Sequence, residues 1–194
     1  IGSSVTVPAS VGSSMVLIKN LDISGTPSTV VFDNSDSDVT FDTTYDNYVF
    51  LINNILPTDN GASFYCRVRT NGTDQTSSYF GGSTAFYTNN SSNGTTYFDS
   101  GSNYFWYLPE IHHNKENGGI SASITLYAPA DSTLATSGTI PYAYYRSNNN
   151  IYGGCAVARH RAAALINGIK FWWGGSSGTF KNEGTISMYG IKNA

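Results

Sequence analysis

Residues Thr44–Gly72 read TYDNYVFLINNILPTDNGASFYCRVRTNG and predict two consecutive β-strands. The first, Tyr48–Leu56, is too rich in Ile, Val and Phe to be a surface loop. The second, Ala62–Thr70, alternates apolar and polar residues, which is the period of a half-buried strand. Between them, Pro57–Gly61 lacks one amide donor and ends in Asn-Gly, so the chain turns there. The stretch predicts an antiparallel hairpin with a nearly all-apolar strand in the middle of a sheet.

Composition extends the β prediction to all 194 residues. Charged residues make up 12%, and the chain contains 14 Tyr and 10 Phe beside abundant Ser, Thr, Asn and Gly. Thr, Tyr, Val and Phe favour strands, and alternation recurs, as in Gly119–Tyr127. We expect an all-β fold, an antiparallel, jelly-roll-like β-sandwich of about ten short strands. Ala156–Leu165 is the one place where a short helix is an alternative to a strand.

The domain organisation follows from the same composition. Ile1–Ser14 consists of Gly, Ser, Thr and Val with one Pro and predicts an extended or flexible leader. Residues 15–194 suit a single β-sandwich domain, which is long enough to bury a core without metals or a disulfide lattice.

Charge and hydropathy exclude two classes of partner. The net charge is −3 and the ten Lys and Arg are scattered, whereas nucleic-acid binding needs a concentrated basic face. No apolar run approaches the roughly 20 residues of a membrane-spanning helix, so membrane insertion is not expected.

Few residues suggest metal or redox chemistry. Cys66 and Cys155 fall in predicted strands, where they are either a disulfide or two small buried side chains. Asn34–Asp38 resembles half of a calcium loop but lacks its Gly and distal Glu, so a solvated turn is favoured over a calcium site. His112 and His113 are adjacent and would diverge in an extended chain, which disfavours chelation. We expect no metal and no cofactor.

The chain also lacks the motifs of common enzymes. It contains no Gly-x-Ser-x-Gly, no phosphate-binding Gly-rich loop and no His-Glu-x-x-His. Glycoside hydrolysis needs two carboxylates that face each other, and Glu110, Glu116 and Glu183 lie in loops or turns. We expect a non-enzymatic protein without catalytic residues.

Aromatic side chains are the best candidates for binding, because Tyr and Trp stack on ligands and anchor interfaces. The alternative for each ring is a place in the core. The number of tyrosines exceeds what one core needs and indicates a subunit interface. The candidate binding or interface residues are Tyr104, Trp106, Tyr142, Tyr144, Tyr145, Trp172 and Trp173.

Four segments carry a resemblance to a known family: Met15–Lys19, Phe41–Phe50, Pro57–Gly61 and Gly184–Lys192. In this order they resemble β-sandwich domains in virion proteins of tailed bacteriophages, many of them marine. Such domains often belong to tail fibres or other surface appendages. The likeness covers almost all of the chain from Met15 onward, although its middle departs freely, and it brings no catalytic motif.

The resemblance implies a subunit of the virion surface, and an appendage is favoured over capsid decoration. Such a subunit would assemble with copies of itself, as a trimer, and with other virion proteins, and it would contact a host-surface glycan. The alternative function is a secreted carbohydrate-binding module. That alternative predicts one exposed platform of Trp and Tyr rings including Trp106, whereas a structural subunit buries such rings between copies.

Overall fold

The described part of the chain folds as an antiparallel β-sandwich of thirteen strands, which confirms the predicted fold class. The computed structural model describes residues 15–87, 90–111, 119–145, 150–174 and 178–192, so the predicted leader Ile1–Ser14 lies outside the described residues. The strands are β1 (Met15–Asp22), β2 (Thr29–Asp33), β3 (Asn47–Ile55), β4 (Ala62–Thr70), β5 (Thr73–Asp74), β6 (Tyr79–Tyr87), β7 (Asn90–Ser102), β8 (Trp106–Ile111), β9 (Ile120–Tyr127), β10 (Ala135–Tyr145), β11 (Ile151–Ala163), β12 (Gly168–Gly174) and β13 (Thr185–Ile191).

Eight of these strands form a jelly roll. The larger sheet contains the order β1-β13-β3-β9, and the smaller sheet contains β2-β12-β4 with β8 paired to the far side of β4. Numbered one to eight along the chain, these strands lie in the orders 1-8-3-6 and 2-7-4-5. Two Greek keys wound into one sandwich produce this arrangement. Chain segments far apart in sequence therefore meet in each sheet.

Two insertions widen the larger sheet on one side. The first insertion, β5 to β7, lies between β4 and β8, and the second, β10 and β11, lies between β9 and β12. Strands of both insertions belong to the larger sheet because β6 pairs with β11. The larger sheet therefore continues as β9-β10-β11-β6-β7, while β5 pairs with β4 in the smaller sheet. The favoured interpretation of Ala156–Leu165 is confirmed, since β11 runs as a strand to Ala163.

The predicted hairpin of β3 and β4 is wrong. β3 lies between β13 and β9 in the larger sheet, whereas β4 pairs with β12 and β8 in the smaller sheet. The turn at Pro57–Gly61 carries the chain across the sandwich, and Pro57 bridges to Phe180. A Pro and an Asn-Gly specify that the chain turns but not which strand it will pair with. The prediction of a central position for β3 is confirmed.

The core consists of aromatic rings from both sheets. Phe50 of β3 lies 5.6 Å from Phe32 of β2 and 6.0 Å from Phe171 of β12, measured between ring centroids, and all three side chains are fully buried. The edge-to-face angles of these pairs suit aromatic quadrupoles. Phe50 thus joins one sheet to the other across the middle of the sandwich.

The two cysteines do not form a disulfide. Cys66 lies in the core, whereas Cys155 is exposed. Burial raises the pKa of the Cys66 thiol.

In the turn after β2, Asp36 and Asp38 both accept hydrogen bonds from Lys19, at 2.5 and 2.8 Å. The Lys19 ammonium group therefore forms ion pairs with both carboxylates, as expected of a solvated turn.

Candidate functional site

Four of the seven predicted binding rings lie in the core. Trp106, Tyr142, Tyr144 and Trp173 are each less than a tenth exposed, so the prediction that they form an exposed surface is wrong. Trp106 packs 5.7 Å from the Phe64 ring, and Trp173 packs 5.0 Å from it. These side chains lie on the inner faces of their strands, where the two sheets meet. The remaining three, Tyr104, Tyr145 and Trp172, are half-buried.

Two of these three belong to a row of rings on the outer face of the smaller sheet. Tyr65 of β4 is the register partner of Tyr107 on β8 and of Trp172 on β12. Its ring centroid lies 5.1 Å from that of Tyr107 and 5.2 Å from that of Trp172, with nearly parallel planes. Tyr104 lies 5.4 Å from both Tyr65 and Tyr107. We call Tyr65, Tyr104, Tyr107 and Trp172 the ring ladder.

The sequence prediction missed Tyr65 and Tyr107. Alternation along β4 already indicated that Tyr65 points away from Phe64 and Cys66, and Tyr107 follows the buried Trp106. From the sequence alone the two rings could not be placed side by side, because β4 and β8 are far apart in the chain. Cross-strand pairing, at spacings of about 5 Å, brings them together. Burial raises the pKa of the Tyr65 phenol, so the ring is neutral at physiological pH.

A network of charged side chains adjoins the ring ladder on the same face. Asp74 accepts a hydrogen bond from Lys170 Nζ at 2.8 Å, and its other carboxylate oxygen forms an ion pair with Arg69, 2.9 Å from Nε. Arg69 also pairs with the buried Asp33. Burial opposes ionisation of Asp74, but the hydrogen bond from Lys170 and the nearby arginines outweigh it and lower its pKa. Lys170, Arg69 and their two carboxylates are therefore mutually neutralised.

Arg67 connects this network to the ring ladder. Its guanidinium carbon lies 4.2 Å from the centre of the Trp172 ring, a cation–π contact. Its ion pair with Asp74 is 3.6 Å long, and its buried Nε has no hydrogen-bond partner among the described residues. Among the side chains that the structure describes in this network, three cations face two carboxylates, and we assign the surplus positive charge to Arg67 because its contact with Asp74 is the longest.

The outer face of the larger sheet is different, since the row of side chains across its middle is uncharged, although Arg159 and Arg161 lie exposed beyond Val157 on β11. Successive register partners across six strands are Leu17, Tyr189, Val49, Thr125, Thr139 and Val157. Leu17 is 52% exposed and Val157 56% exposed, at opposite sides of this row. Tyr127 and Leu51 add exposed apolar area beside it. No charged residue interrupts the row, so an apolar partner surface could cover it at little desolvation cost.

The described residues offer little else for chemistry. Within the described ranges no group of three or more His, Cys, Asp or Glu side chains could hold a metal ion. His112 and His113 lie outside them. In that same part of the chain the structure contains no helix with the length and apolarity of a membrane span. The two faces of the sandwich are therefore the candidate sites.

His160 is a buried titratable side chain in the widened part of the larger sheet. It is buried, its ring lies 5.1 Å from Tyr79, and its Nδ1 has no hydrogen-bond partner among the described residues. Burial lowers its pKa below the ordinary value of 6.5. The folded state then binds fewer protons than the unfolded state, so stability is complete above that pH and declines as pH falls through it.

We expect the unfolding temperature to fall between pH 7 and pH 5, and to fall less in His160→Gln. Thermal unfolding of both proteins, followed by circular dichroism across this range, measures the difference. An equal fall in the two proteins would contradict a role for His160.

Comparison with known proteins adds no relative, since no family model, curated protein or solved structure matches the chain.

Proposed function

We propose that the chain is a non-enzymatic subunit of a bacteriophage virion surface, in a tail fibre or another appendage. The sequence resemblance to phage virion domains supports the location, and the jelly roll is a fold that viral capsid proteins share with lectins. Fold alone does not assign a function, so the proposal depends on a surface suited to assembly.

That surface is the outer face of the larger sheet, and it is the observation that carries the proposal. Its central row from Leu17 to Val157 contains no charge and ends in two half-exposed apolar side chains. Exposed apolar area on a flat face is typical of interfaces, and the centres of interfaces are depleted in charge. We infer that copies of the chain associate through this face as a trimer.

A charge in this face should prevent association. We expect wild-type protein to have about three times the chain mass of 20.9 kDa in solution, and Val157→Glu to be monomeric. The carboxylate would lose its hydration in the interface, which typically costs several kcal/mol. Light scattering coupled to gel filtration measures both masses.

Leu134→Glu is the matched control, because Leu134 is as exposed as Val157 but lies in the loop between β9 and β10. It should keep the wild-type mass. A monomeric wild type, or equal dissociation in both variants, would refute the assembly face.

The location needs a test on particles. An antibody against the purified protein should label phage particles from the natural source at their tails in electron micrographs. Copy number then separates two arrangements, because an appendage contributes dozens of copies or fewer, whereas a decoration protein contributes hundreds. Absence of the chain from such particles would refute the virion proposal.

The alternative proposal, a secreted carbohydrate-binding module, has less support than before. It predicted a platform that included Trp106, and that ring is buried between Phe64 and Tyr142. The ring ladder remains as an aromatic surface that either kind of protein could use.

A further inference from the structure

The ring ladder and Arg67 form a surface that is both aromatic and positively charged. The Tyr107, Tyr65 and Trp172 rings follow one another across β8, β4 and β12, and their centroids span about 10 Å. Arg67 lies at the Trp172 end and carries the surplus charge of this face. The rest of the chain has a net negative charge, so this local excess is not a general property of the surface.

We propose that this surface binds an acidic carbohydrate, whose sugar rings carry carboxylate groups. The inference deepens the proposed function by naming the chemistry of a host contact, and it rests on that function only for the biological source of the sugar. Because the Tyr107, Tyr65 and Trp172 rings stack on one another, they present their apolar edges, against which the C–H groups of a sugar can pack. A carboxylate on the sugar would give Arg67 a second negatively charged partner beside Asp74.

The positive charge of Arg67 favours an acidic sugar over a neutral one as the ligand. Asp74 is shared among Lys170, Arg69 and Arg67, and the contact with Arg67 is the longest of the three. A guanidinium with incomplete pairing can form charge-assisted hydrogen bonds with an added carboxylate, and these are about twice as strong as neutral ones. The binding should therefore weaken as salt increases.

The same observations disfavour a nucleic acid, which also combines rings with negative charge. Binding of single strands uses a positively charged groove that follows the backbone through several phosphates. Here one surplus cation lies beside the ring ladder, because Arg69 and Lys170 are already paired with carboxylates. One carboxylate per contact suits this surface better than a string of phosphates.

Titration of isotope-labelled protein with tetragalacturonic acid tests the proposal. We expect saturable binding with shifted amide signals in β4, β8 and β12, and at least tenfold weaker binding of neutral maltotetraose. The methyl ester of tetragalacturonic acid removes the charge from the ligand without changing the protein, and it should bind as weakly as maltotetraose. Arg67→Gln should lower the affinity for the acid at least tenfold.

Arg161→Gln is the matched control for Arg67→Gln. Arg161 also covers a ring, with its guanidinium carbon 4.3 Å from the centre of Phe80, but it belongs to β11 of the larger sheet. Its substitution should leave the affinity unchanged. No binding of tetragalacturonic acid, equal binding of its methyl ester, or shifts confined to the larger sheet would each overturn the proposal.

These outcomes are separate from those that judge the proposed function. The sugar titration can fail in a protein that assembles and labels phage tails, in which case only the ligand is wrong. It can also succeed in a monomer absent from virions, in which case the virion role is wrong.

Discussion

Phe50→Ala should lower the free energy of unfolding by about 3–5 kcal/mol, the usual cost of truncating a buried Phe. The ring is fully buried and packs against three other Phe rings. Phe32 and Phe171 belong to the opposite sheet, and Phe41 lies in the loop before β3. Its loss leaves a cavity where the sheets meet, and neither sheet can close it without moving the other. Because domains of this kind are stable by about 5–15 kcal/mol, this is a large share of the total.

Phe86→Ala provides the matched control, since the chemical change is the same at a ring that is 59% exposed. It should change stability by less than about 1 kcal/mol. Urea denaturation of the three proteins at one protein concentration gives both differences, and fixing the concentration removes the effect of assembly. Similar losses in the two variants would show that Phe50 does not join the sheets as described.

Gly154→Ala should destabilise the widened part of the larger sheet by about 3 kcal/mol, while Gly153→Ala should be nearly neutral. A Cβ on Gly154 would lie 2.0 Å from the backbone oxygen of Thr84 on the neighbouring strand β6. A Cβ on Gly153 would meet nothing closer than 3.7 Å. The two residues are adjacent in β11, so they differ only in what each one faces.

Hydrogen exchange locates this effect as well as measuring it. Amides of β6 and β11 should exchange faster in Gly154→Ala, because the methyl group can be accommodated only if the two strands separate. Amides of β1 and β13, at the other side of the same sheet, should change little. Uniform acceleration throughout the sheet, or equal behaviour of the two alanine variants, would contradict this explanation.

Strands could be predicted from the sequence better than their partners. Alternation in Ala62–Thr70 and the apolar run before it correctly indicated two strands and the central position of β3. Pairing depends on where each strand finds a complementary edge, and Pro57–Gly61 turns the chain equally well within a sheet or between sheets. The interpretation as a hairpin was wrong because local turn chemistry carries no information about the other eleven strands.

The candidate site was less accessible to sequence reasoning for a related reason. A strand with rings on both faces, such as Tyr104–Leu108, does not reveal which face meets the core. The structure turns Trp106 inward and leaves Tyr107 at the surface, whereas the predicted binding residues included Trp106 and not Tyr107. The ring ladder exists only through the register of three strands, so no single stretch of sequence contains it.

The pairing of β1 with β13 has a mechanical consequence. Met15, the first residue of β1, is the register partner of Ile191, the last residue of β13. A force that pulls these two residues apart would load their hydrogen bonds one after another and peel β1 away like a zipper. Pulling along the strands would load all of them together, and resistance would be greater. A partner attached at both Met15 and Ile191 would lie at one corner of the sandwich. A force between these two attachment points would act in the direction in which β1 peels away bond by bond.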